Sequence, residues 1–194
     1  EIIDNWVTTQ LEMYRHTGWT SKGPAGIEYS GIMEGSHEVA LMVAAYQKKI
    51  RKDGDAIYEA VHKMVTNPGG EHPCGGTYGQ IDLDAYARYG YMPSEINVVS
   101  NTLDYAYDDF CVSQLAKALG KKKDATFLEK RSMNYKNVFH PEYKYVCRRD
   151  SLGNWDDQFD VFSNAGFIEG NSWQYSWYVP HDIKGLIKLI GKEK

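Results

Sequence analysis

One stretch near the end of the chain concentrates acidic, amide and aromatic side chains. It reads I-E-G-N-S-W-Q-Y-S-W-Y-V-P-H-D from Ile168 to Asp182 and places Glu169 next to a glycine, two amides and four aromatic rings. Aromatic faces can cover the C–H face of a pyranose, amides can hydrogen-bond its hydroxyls, and a carboxyl group can transfer a proton. An acid among aromatic rings is expected to lose hydration, which favours the protonated form that a general acid needs. The stretch therefore indicates a sugar site with Glu169 as its acid.

The competing interpretation of this stretch is a buried aromatic core in which Glu169 only caps a helix. Burying amides among four aromatic rings requires polar partners for each amide, which makes a purely structural core the less favourable solution. We therefore keep both interpretations open, and favour the sugar site.

A second acidic cluster lies in T-L-D-Y-A-Y-D-D-F, from Thr102 to Phe110. Asp104 and Asp108 stand at i, i+4, so they share a helix face on which like charges repel unless a cation, a donor or water intervenes. A solvated face with three carboxylates is an equally good interpretation of the pattern. A third cluster is M-E-G-S-H from Met33 to His37, which enters a helix and in which Glu34 or Ser36 could simply be the N-cap.

Familiar metal and nucleotide motifs fail at specific positions. The H-E pair at His37 lacks the second imidazole of a zinc-protease motif, because Leu41 stands at its fifth position. The glycine cluster between 75 and 79 has neither dinucleotide spacing nor a preceding strand, and no P-loop is present. Three separate cysteines without C-x-x-C spacing argue against a structural zinc and a disulfide scaffold: Cys74, Cys111 and Cys147.

Apolar residues recur at helical spacing in most of the chain, whereas alternating strand patterns are almost absent. The pattern predicts an all-α fold of helical hairpins with elaborate, ordered loops. The predicted inner faces, in chain order, are Ile3, Val7, Leu11 and Tyr14; Val39, Met42, Val43, Tyr46 and Ile50; Ile57, Val61, Met64 and Val65; Leu103, Tyr107, Cys111, Leu115 and Leu119; Phe127, Arg131, Tyr135 and Val138; and Ile183, Leu186, Ile187 and Ile190.

Local signals set the ends of these helices and the character of the connections. Gly18, Gly120 and Gly191 are expected to close helices, and Asp124 is expected to cap the one that starts near it. The stretch from 144 to 178 is too long for a passive connection, and its aromatic content argues against disorder.

Composition excludes several partner classes. The chain has 194 residues, a formal net charge of -4 and a hydrophobic fraction of 42%. A slightly acidic chain has no broad positive field for nucleic acid or anionic membranes, and no apolar run approaches the ~20 residues of a membrane span. The chain begins at Glu1, so we expect its start to be a processing or fragment boundary.

Several segments of the sequence resemble a known family. Three segments look like glycoside hydrolase family 92, the calcium-dependent exo-acting α-mannosidases: Thr102 to Gly120, Lys130 to Phe139, and Glu169 to Ile187. The Tyr89 to Pro93 stretch is similar to the family's G-Y-x-P turn, and Met33 to His37 is similar to its M-x-G-x-H helix entry. These matches run in family order from about residue 30 to the end.

The resemblance implies a function and a set of site residues. It implies inverting hydrolysis of α-mannosidic bonds, with a carboxylic acid protonating the leaving oxygen and a second carboxylate activating water. On this chain the acid would be Glu169, with substrate-binding candidates at Asn171, Trp173, Gln174, His37, Asp108 and Asp109. Mannose-containing glycans would be the substrates, Ca²⁺ the cofactor, and the location secreted or periplasmic. No metal ligand is assigned to this chain.

The resemblance also implies that parts of the family pattern lie elsewhere. The family's upstream tryptophan-aspartate-threonine motif and its downstream G-N-x-D-C-G-Q-type motif, which carries the base near the calcium site, are missing before Lys194. We therefore expect residues 1–194 to be an incomplete segment of an (α/α)6 glycosidase catalytic domain that needs the remainder of the same polypeptide to act.

Three other functions fit the same residues. One is a non-catalytic glycan-binding or scaffold protein of the same architecture. The second is a toroid hydrolase or lyase for another sugar, because fold does not fix substrate. The third is a purely structural helical array, for which a closed surface around Glu169 is expected.

Overall fold

The protein is mostly helical in a computed structural model that describes residues 1–22, 35–71 and 76–191. The all-α prediction is confirmed, with one two-residue antiparallel pairing as the only sheet in those ranges. The elements are α1 (Ile2–Thr17), α2 (His37–Gln47), α3 (Gly54–Thr66), β1 (Gly70–Glu71), β2 (Thr77–Tyr78), α4 (Leu83–Tyr89), α5 (Ser100–Ala118), α6 (Lys122–Arg131), a 3₁₀ segment (Ser132–Val138), α7 (Ser172–Tyr175) and α8 (Ile183–Ile190).

The first three helices form as their apolar spacing predicts. Val7 and Leu11 of α1 are buried against α2 and α3, whose buried residues include Val39, Met42 and Val61. Gly18 ends α1 in the left-handed region at φ 81°, and its N–H donates to the Tyr14 carbonyl at 2.7 Å. The second predicted face is too long by one turn, because α2 ends at Gln47 and Ile50 is exposed beyond it.

Helix α5 is the centre of the molecule. It packs against α2, α3, α6 and the 3₁₀ segment, so residues on almost every side of it are buried. Its C-terminal half joins one core through Val112 and Leu115, and its N-terminal half joins a second core through Leu103 and Ala106. A helix enclosed in this way presents all its faces to neighbours, which makes α5 the element best placed to hold a site.

The prediction for the helix after α5 is wrong in two respects. Asp124 does not cap it: Lys121 occupies the N-cap position, and the Asp124 carboxylate instead accepts a hydrogen bond from Tyr58 at 2.6 Å. Phe127 is exposed, and Leu128 is the residue buried on the inner face. The α-helix tightens into a 3₁₀ helix at Ser132, and three residues per turn place later side chains differently from an extrapolated α-helix.

Helix α4 was not predicted from the sequence. It has seven residues and ends at Gly90, after which the chain turns back to α5. Two hydrogen bonds secure this return, from Met92 N–H to Thr102 Oγ1 at 2.9 Å and from the Tyr105 hydroxyl to the Ile81 carbonyl at 2.8 Å.

The long connection between the 3₁₀ segment and α7 is held by specific contacts, as its aromatic content predicts. The Ser172 hydroxyl donates to the Val146 carbonyl at 2.6 Å, and Val146 N–H donates to the Ser176 hydroxyl at 2.9 Å. An ion pair between Arg148 and Asp156 fixes the middle of the loop. The loop is therefore ordered without being a regular element.

Helix α8 has the predicted bounds but an incompletely buried face. Leu186 is buried, whereas Ile183 and Ile187 are about half exposed. Cys111 and Cys147 are buried and unbridged, and Cys74 lies outside the described residues. Within the described ranges, none of the helices has the length and hydropathy needed to cross a lipid bilayer.

Candidate active site

The three clusters singled out in the sequence meet along one face of α5. Ser100, Asp104 and Asp108 lie at i, i+4 and i+8, so they share that face and follow each other at ~6 Å intervals along the axis. The loop carrying Glu169 attaches at the first of them, because Ile168 N–H donates to the Ser100 hydroxyl at 3.4 Å. Helix α2 approaches the second and third.

Glu169 lies exposed on the loop that leads into α7. Its backbone is left-handed, with φ 47°, a conformation that costs a non-glycine residue ~1–2 kcal/mol. The Tyr175 hydroxyl donates to the Ile168 carbonyl at 2.6 Å and holds the preceding residue in place. An aromatic neighbour therefore holds the backbone beside Glu169. The aromatic rings do not enclose the Glu169 side chain, so the expectation from the sequence is not met.

Asn171, and not Glu169, caps the helix that follows. The Asn171 side-chain oxygen accepts a hydrogen bond from Gln174 N–H at 3.1 Å, which satisfies one of the unpaired donors at the start of α7. This assigns the capping function to the amide and leaves the Glu169 carboxyl without that structural role. The surface around Glu169 is open, in contrast to what a purely structural array predicts.

The other two candidates in this cluster project outward from α7. Trp173 is 46% exposed, and its ring lies edge to face with Trp177 at a centroid distance of 6.5 Å. Gln174 is exposed as well. Both side chains are accessible to a ligand at the acid's loop, as their assignment requires, and their role in binding stays a prediction.

Asp108 is buried within the molecule, so the solvated-face interpretation is wrong for this residue. Its carboxylate accepts a hydrogen bond from the Gln80 amide at 2.9 Å. Burial, followed by the neighbouring charges of Glu38 and Asp104, raises the pKa of Asp108 well above its ordinary value. The burial of Asp108 among other acids therefore favours its protonated form.

Glu38 is a second buried acid at this place, and the sequence interpretation did not assign it. Thr20 donates to its Oε1 at 3.1 Å, while its Oε2 is buried without a hydrogen-bond partner. Burial raises the pKa of Glu38 to about 7, against the lowering effect of the Thr20 hydrogen bond and the Lys22 charge. The sequence could have indicated its burial, because Glu38 lies at the start of the apolar face of α2.

His37 and Gly35 bring the helix entry against the acidic face. A Cβ placed on Gly35 would lie 2.9 Å from the His37 ring, which would have to move, and 3.5 Å from Asp104 Cγ, an ordinary contact distance. Partial burial lowers the pKa of His37, which favours the neutral ring. Ser36 holds the N-cap position of α2 without a side-chain capping bond. Met33 and Glu34 lie outside the described residues.

Asp109 lies on the other side of α5 from the face that carries Ser100, Asp104 and Asp108. Arg131 donates to both of its oxygens, at 2.7 Å and 2.5 Å, and the Tyr86 hydroxyl donates at 3.2 Å. Burial raises the pKa of Asp109 to about 6, and the Arg131 contacts lower it. With its oxygens committed to Arg131, Asp109 ties α5 to α6, and this geometry favours a supporting position over direct contact with a sugar.

Asp104 and Tyr178 are site neighbours that the candidate set omitted. The Tyr178 ring lies 5.9 Å from that of Tyr107, edge to face, and burial together with the charges of Asp104 and Asp108 raises the pKa of Tyr178. Tyr178, near the end of the stretch that contains Glu169, therefore lies against the face of α5 that carries Asp104 and Asp108. The i, i+4 spacing of the two aspartates was the signal that could have placed Asp104 in the set.

His181 secures the end of the same stretch. Its Nε2–H donates to the Ser132 carbonyl at 2.9 Å, while Nδ1 is buried without a partner. Burial lowers the pKa of His181, which is consistent with a neutral ring that is protonated on Nε2 only. The ring packs edge to face against Tyr135 at 5.4 Å, so the segment is locked to the 3₁₀ segment.

Calcium has no evident site among these groups. Across 1–22, 35–71 and 76–191, no set of three or more His, Cys, Asp or Glu side chains is arranged to hold a metal ion. Lys22 places a positive charge beside Glu38, which does not suit a divalent cation at that carboxylate. The described residues do not fit the ion, and no step of the chemistry is routed through it.

Comparisons with known proteins agree with the resemblance in the sequence. The model of the glycosyl hydrolase family 92 catalytic domain matches residues 1–194. A curated relative, an uncharacterized secreted glycosidase of Arthroderma benhamiae, is 27% identical over 93% of this chain and 28% of its own length.

Solved structures match the whole described fold. The family 92 inverting mannosidase BT2199 of Bacteroides thetaiotaomicron is 31% identical with a TM-score of 0.89, over 97% of this chain and 26% of its own. The α-mannosidase BT3965 of the same organism is 30% identical with a TM-score of 0.83, over 100% of this chain and 25% of its own. The chain thus spans about a quarter of the length of the relatives it matches. The match of the family model along its length shows that this chain belongs to the glycosyl hydrolase family 92 catalytic domain.

Proposed function

We propose that the polypeptide containing this chain hydrolyses α-mannosidic bonds with inversion, and that Glu169 is its general acid. The observation that carries the proposal is the position of Glu169: an exposed carboxyl on a left-handed backbone, tied through Ile168 to the first residue of α5. Strained non-glycine residues persist where the surrounding structure holds them, and they concentrate at functional sites. Two proteins of similar structure are mannosidases, which supports mannose as the sugar.

The acid would act on the oxygen that joins mannose to the rest of the glycan. Its proton passes to the glycosidic oxygen as the C–O bond breaks, and an activated water adds to the anomeric carbon from the opposite face. The second carboxylate of an inverting pair lies ~6.5–9.5 Å from the acid, so that a water fits between. We place that base outside this chain.

The remaining residues of the stretch would position the sugar. Trp173 offers an exposed aromatic face, and Gln174 an exposed amide at the same end of α7. Asp108 and His37 would form the wall behind the acid, with Asp108 buried and His37 at the entry of α2. The Ca²⁺ that the family resemblance implies would be bound by ligands elsewhere in the polypeptide.

The Arthroderma benhamiae relative is a secreted glycosidase, which supports a secreted or periplasmic location for this protein. Mannose-containing glycans at such a location would be its partners. A glycosidase for another sugar is the principal competing function, and a panel of glycosides differing at the sugar separates the two.

The test is Glu169→Gln in the complete polypeptide, with kcat/KM measured on two mannosides of different leaving group. For methyl α-mannoside, whose leaving group needs a proton, we expect a loss of at least ~10²-fold, whereas an activated aryl mannoside is expected to lose much less. Near wild-type hydrolysis of methyl α-mannoside by the variant would remove Glu169 from the role of acid. Mannose binding without turnover by the wild type would favour a glycan-binding protein.

A further inference from the structure

A groove lined by aromatic rings begins beside the acid's loop. It has a volume of about 760 Å³ and is formed by the segments before and within the long connection. The residues that line it, called the aromatic groove below, are Glu142, Tyr143, Tyr145, Phe159, Asp160, Val161 and Phe162.

The rings of the groove are held as a rigid stack. Tyr143 and Phe159 lie parallel with centroids 4.9 Å apart and planes 9° apart, and His140 stacks on the other face of Tyr143 at 4.1 Å. Phe162 is 68% exposed although its backbone N–H is fixed by the Asp160 side chain at 3.0 Å. A large ring that is held in water contributes no stability by burial. Its fixed backbone therefore indicates that the ring contacts a ligand.

The groove is continuous with the acid's loop through Trp173. The Trp173 ring lies 6.0 Å from that of Phe162 and 5.9 Å from that of Tyr145, and the backbone N–H of Trp173 donates to the Val161 carbonyl at 3.1 Å. Trp173 follows Glu169 by four residues, so their Cα atoms are at most ~14 Å apart. Neighbouring rings therefore lead from Trp173, in the same stretch as the candidate acid, into the groove.

The chemistry of the lining selects a neutral, hydroxyl-rich ligand. Its two ionisable groups, Glu142 and Asp160, are carboxylates that accept hydrogen bonds from hydroxyls, and neither Lys nor Arg is among the described residues that line it. A phosphate or nucleic acid would meet negative charge without compensation. Flat aromatic faces next to carboxylate acceptors are the complement of a pyranose ring.

We infer that the aromatic groove is the binding site for the part of the glycan that leaves, beyond the glycosidic oxygen that Glu169 protonates. The inference rests on the proposed function and adds the substrate class to it: extended α-mannosides are bound better than simple ones. The leaving sugar stacks on Trp173, and the next units lie along Phe162 and the Tyr143–Phe159 stack.

The experiment compares Phe162→Ala with the wild type in the complete polypeptide, using methyl α-mannoside and α-linked mannotrioses. Phe162 is mostly in water, so its loss leaves folding unchanged, and Leu152→Ala, an 85% exposed residue of the same loop outside the groove, is the matched control. For the trioses we expect kcat/KM to fall about tenfold, the effect of losing one aromatic contact of ~1.4 kcal/mol. Methyl α-mannoside, which does not reach the groove, is expected to react at the wild-type rate in all three proteins.

Each outcome decides between the groove and its alternatives. No change on either substrate, or an equal loss on both, overturns the inference, and an equal loss with a lowered melting temperature assigns the groove to packing against another part of the polypeptide. If the wild type hydrolyses no mannoside, the proposed function fails by itself. In that case triose binding followed by tryptophan fluorescence, retained in Leu152→Ala and weakened in Phe162→Ala, would still support the groove, and equal binding by both variants would overturn it.

Discussion

The hydroxyl of Ser100 accepts a hydrogen bond from the backbone N–H of Ile168 at 3.4 Å, so the residue before Glu169 is joined to the first residue of α5. Asp104 and Asp108 follow Ser100 on the same helix face. The Ser100 backbone N–H also donates to the Gly166 carbonyl at 3.4 Å, so two hydrogen bonds join the loop of the exposed acid to the helix that carries the buried acidic groups.

Replacing Ser100 by Ala should therefore loosen the acid's loop. A buried hydrogen bond of this kind contributes ~1 kcal/mol, so we expect kcat/KM for methyl α-mannoside to fall about fivefold. The matched control is Ser113→Ala, which removes a buried hydroxyl of the same helix that bonds only within α5: it donates to the Phe110 carbonyl at 2.7 Å and accepts from the Gln114 amide at 3.1 Å. Equal rates for the two variants would show that the Ser100 contact does not position the acid.

The left-handed backbone at Glu169 predicts opposite effects on stability and activity. Glycine adopts φ 47° without a steric penalty, so Glu169→Gly should raise the free energy of unfolding by ~0.5–1 kcal/mol after the entropy of the added glycine is subtracted. The same substitution removes the proposed acid and should abolish hydrolysis of methyl α-mannoside.

Lys49 provides the control for this prediction. Its φ is 59° at the end of α2, so Lys49→Gly should give a similar gain in the midpoint of thermal unfolding of the complete polypeptide with unchanged kcat/KM. A drop in stability for Glu169→Gly would mean that the Glu169 side chain makes contacts worth more than the strain of its backbone.

Glu38 predicts a stability that decreases as the pH rises. Its pKa is about 7 in the folded protein and near 4.5 in the unfolded chain, so the folded protein holds an extra proton between these values. Stability from this group is therefore complete below pH ~4.5 and is lost as the pH rises through 7. The full difference is on the order of 3 kcal/mol.

The measurement is the difference in unfolding free energy between Glu38→Gln and the wild type at pH 5 and pH 8. Groups common to both proteins cancel, so the variant should gain relative to the wild type at pH 8 and gain little at pH 5. Thr20→Val, which removes the donor to Glu38 Oε1 and keeps the acid, should retain the pH dependence. A constant difference at both pH values would contradict a raised pKa at Glu38.

The sequence was sufficient for the long helices and for the identity of the acid's stretch. Periodic apolar residues such as Val7 and Leu11, or Val61 and Met64, define a buried face that does not depend on distant partners. The resemblance in the Glu169 to Asp182 stretch was specific enough to name the family, which the family model then matched.

What the sequence could not provide depends on contacts between distant segments. The burial of Asp108 requires Gln80 and Glu38 from two other elements, so spacing within α5 could not tell a solvated face from a buried one. The error at Phe127 is one of helix face, because Leu128, the next residue of α6, is the one that is buried. The exposure of Glu169 likewise follows from where its loop attaches to α5.

Gly185 in the first turn of α8 gives a prediction whose sign the surroundings decide. In an open helix Gly→Ala stabilises by ~0.5–1 kcal/mol. Here a Cβ would lie 2.1 Å from Asp182 Oδ2 and 2.4 Å from the Tyr135 hydroxyl, which themselves share a hydrogen bond of 2.8 Å. Asp182 also caps α8 by accepting from Gly185 N–H at 2.8 Å, so the added methyl group must displace the cap. We therefore expect Gly185→Ala to lower the free energy of unfolding by ~1–3 kcal/mol.

The check is the midpoint of thermal unfolding of the complete polypeptide, with Lys184→Ala as the control at an exposed neighbouring position of the same helix. Asp182→Ala combined with Gly185→Ala separates the clash from the lost cap: once Asp182 is absent, the added methyl group meets only the Tyr135 hydroxyl, so its cost should be smaller than in the wild-type background. A gain in stability for Gly185→Ala alone would mean that Asp182 and Tyr135 move apart at little cost. The contact between α8 and the 3₁₀ segment would then be too weak to fix the position of the segment that carries His181.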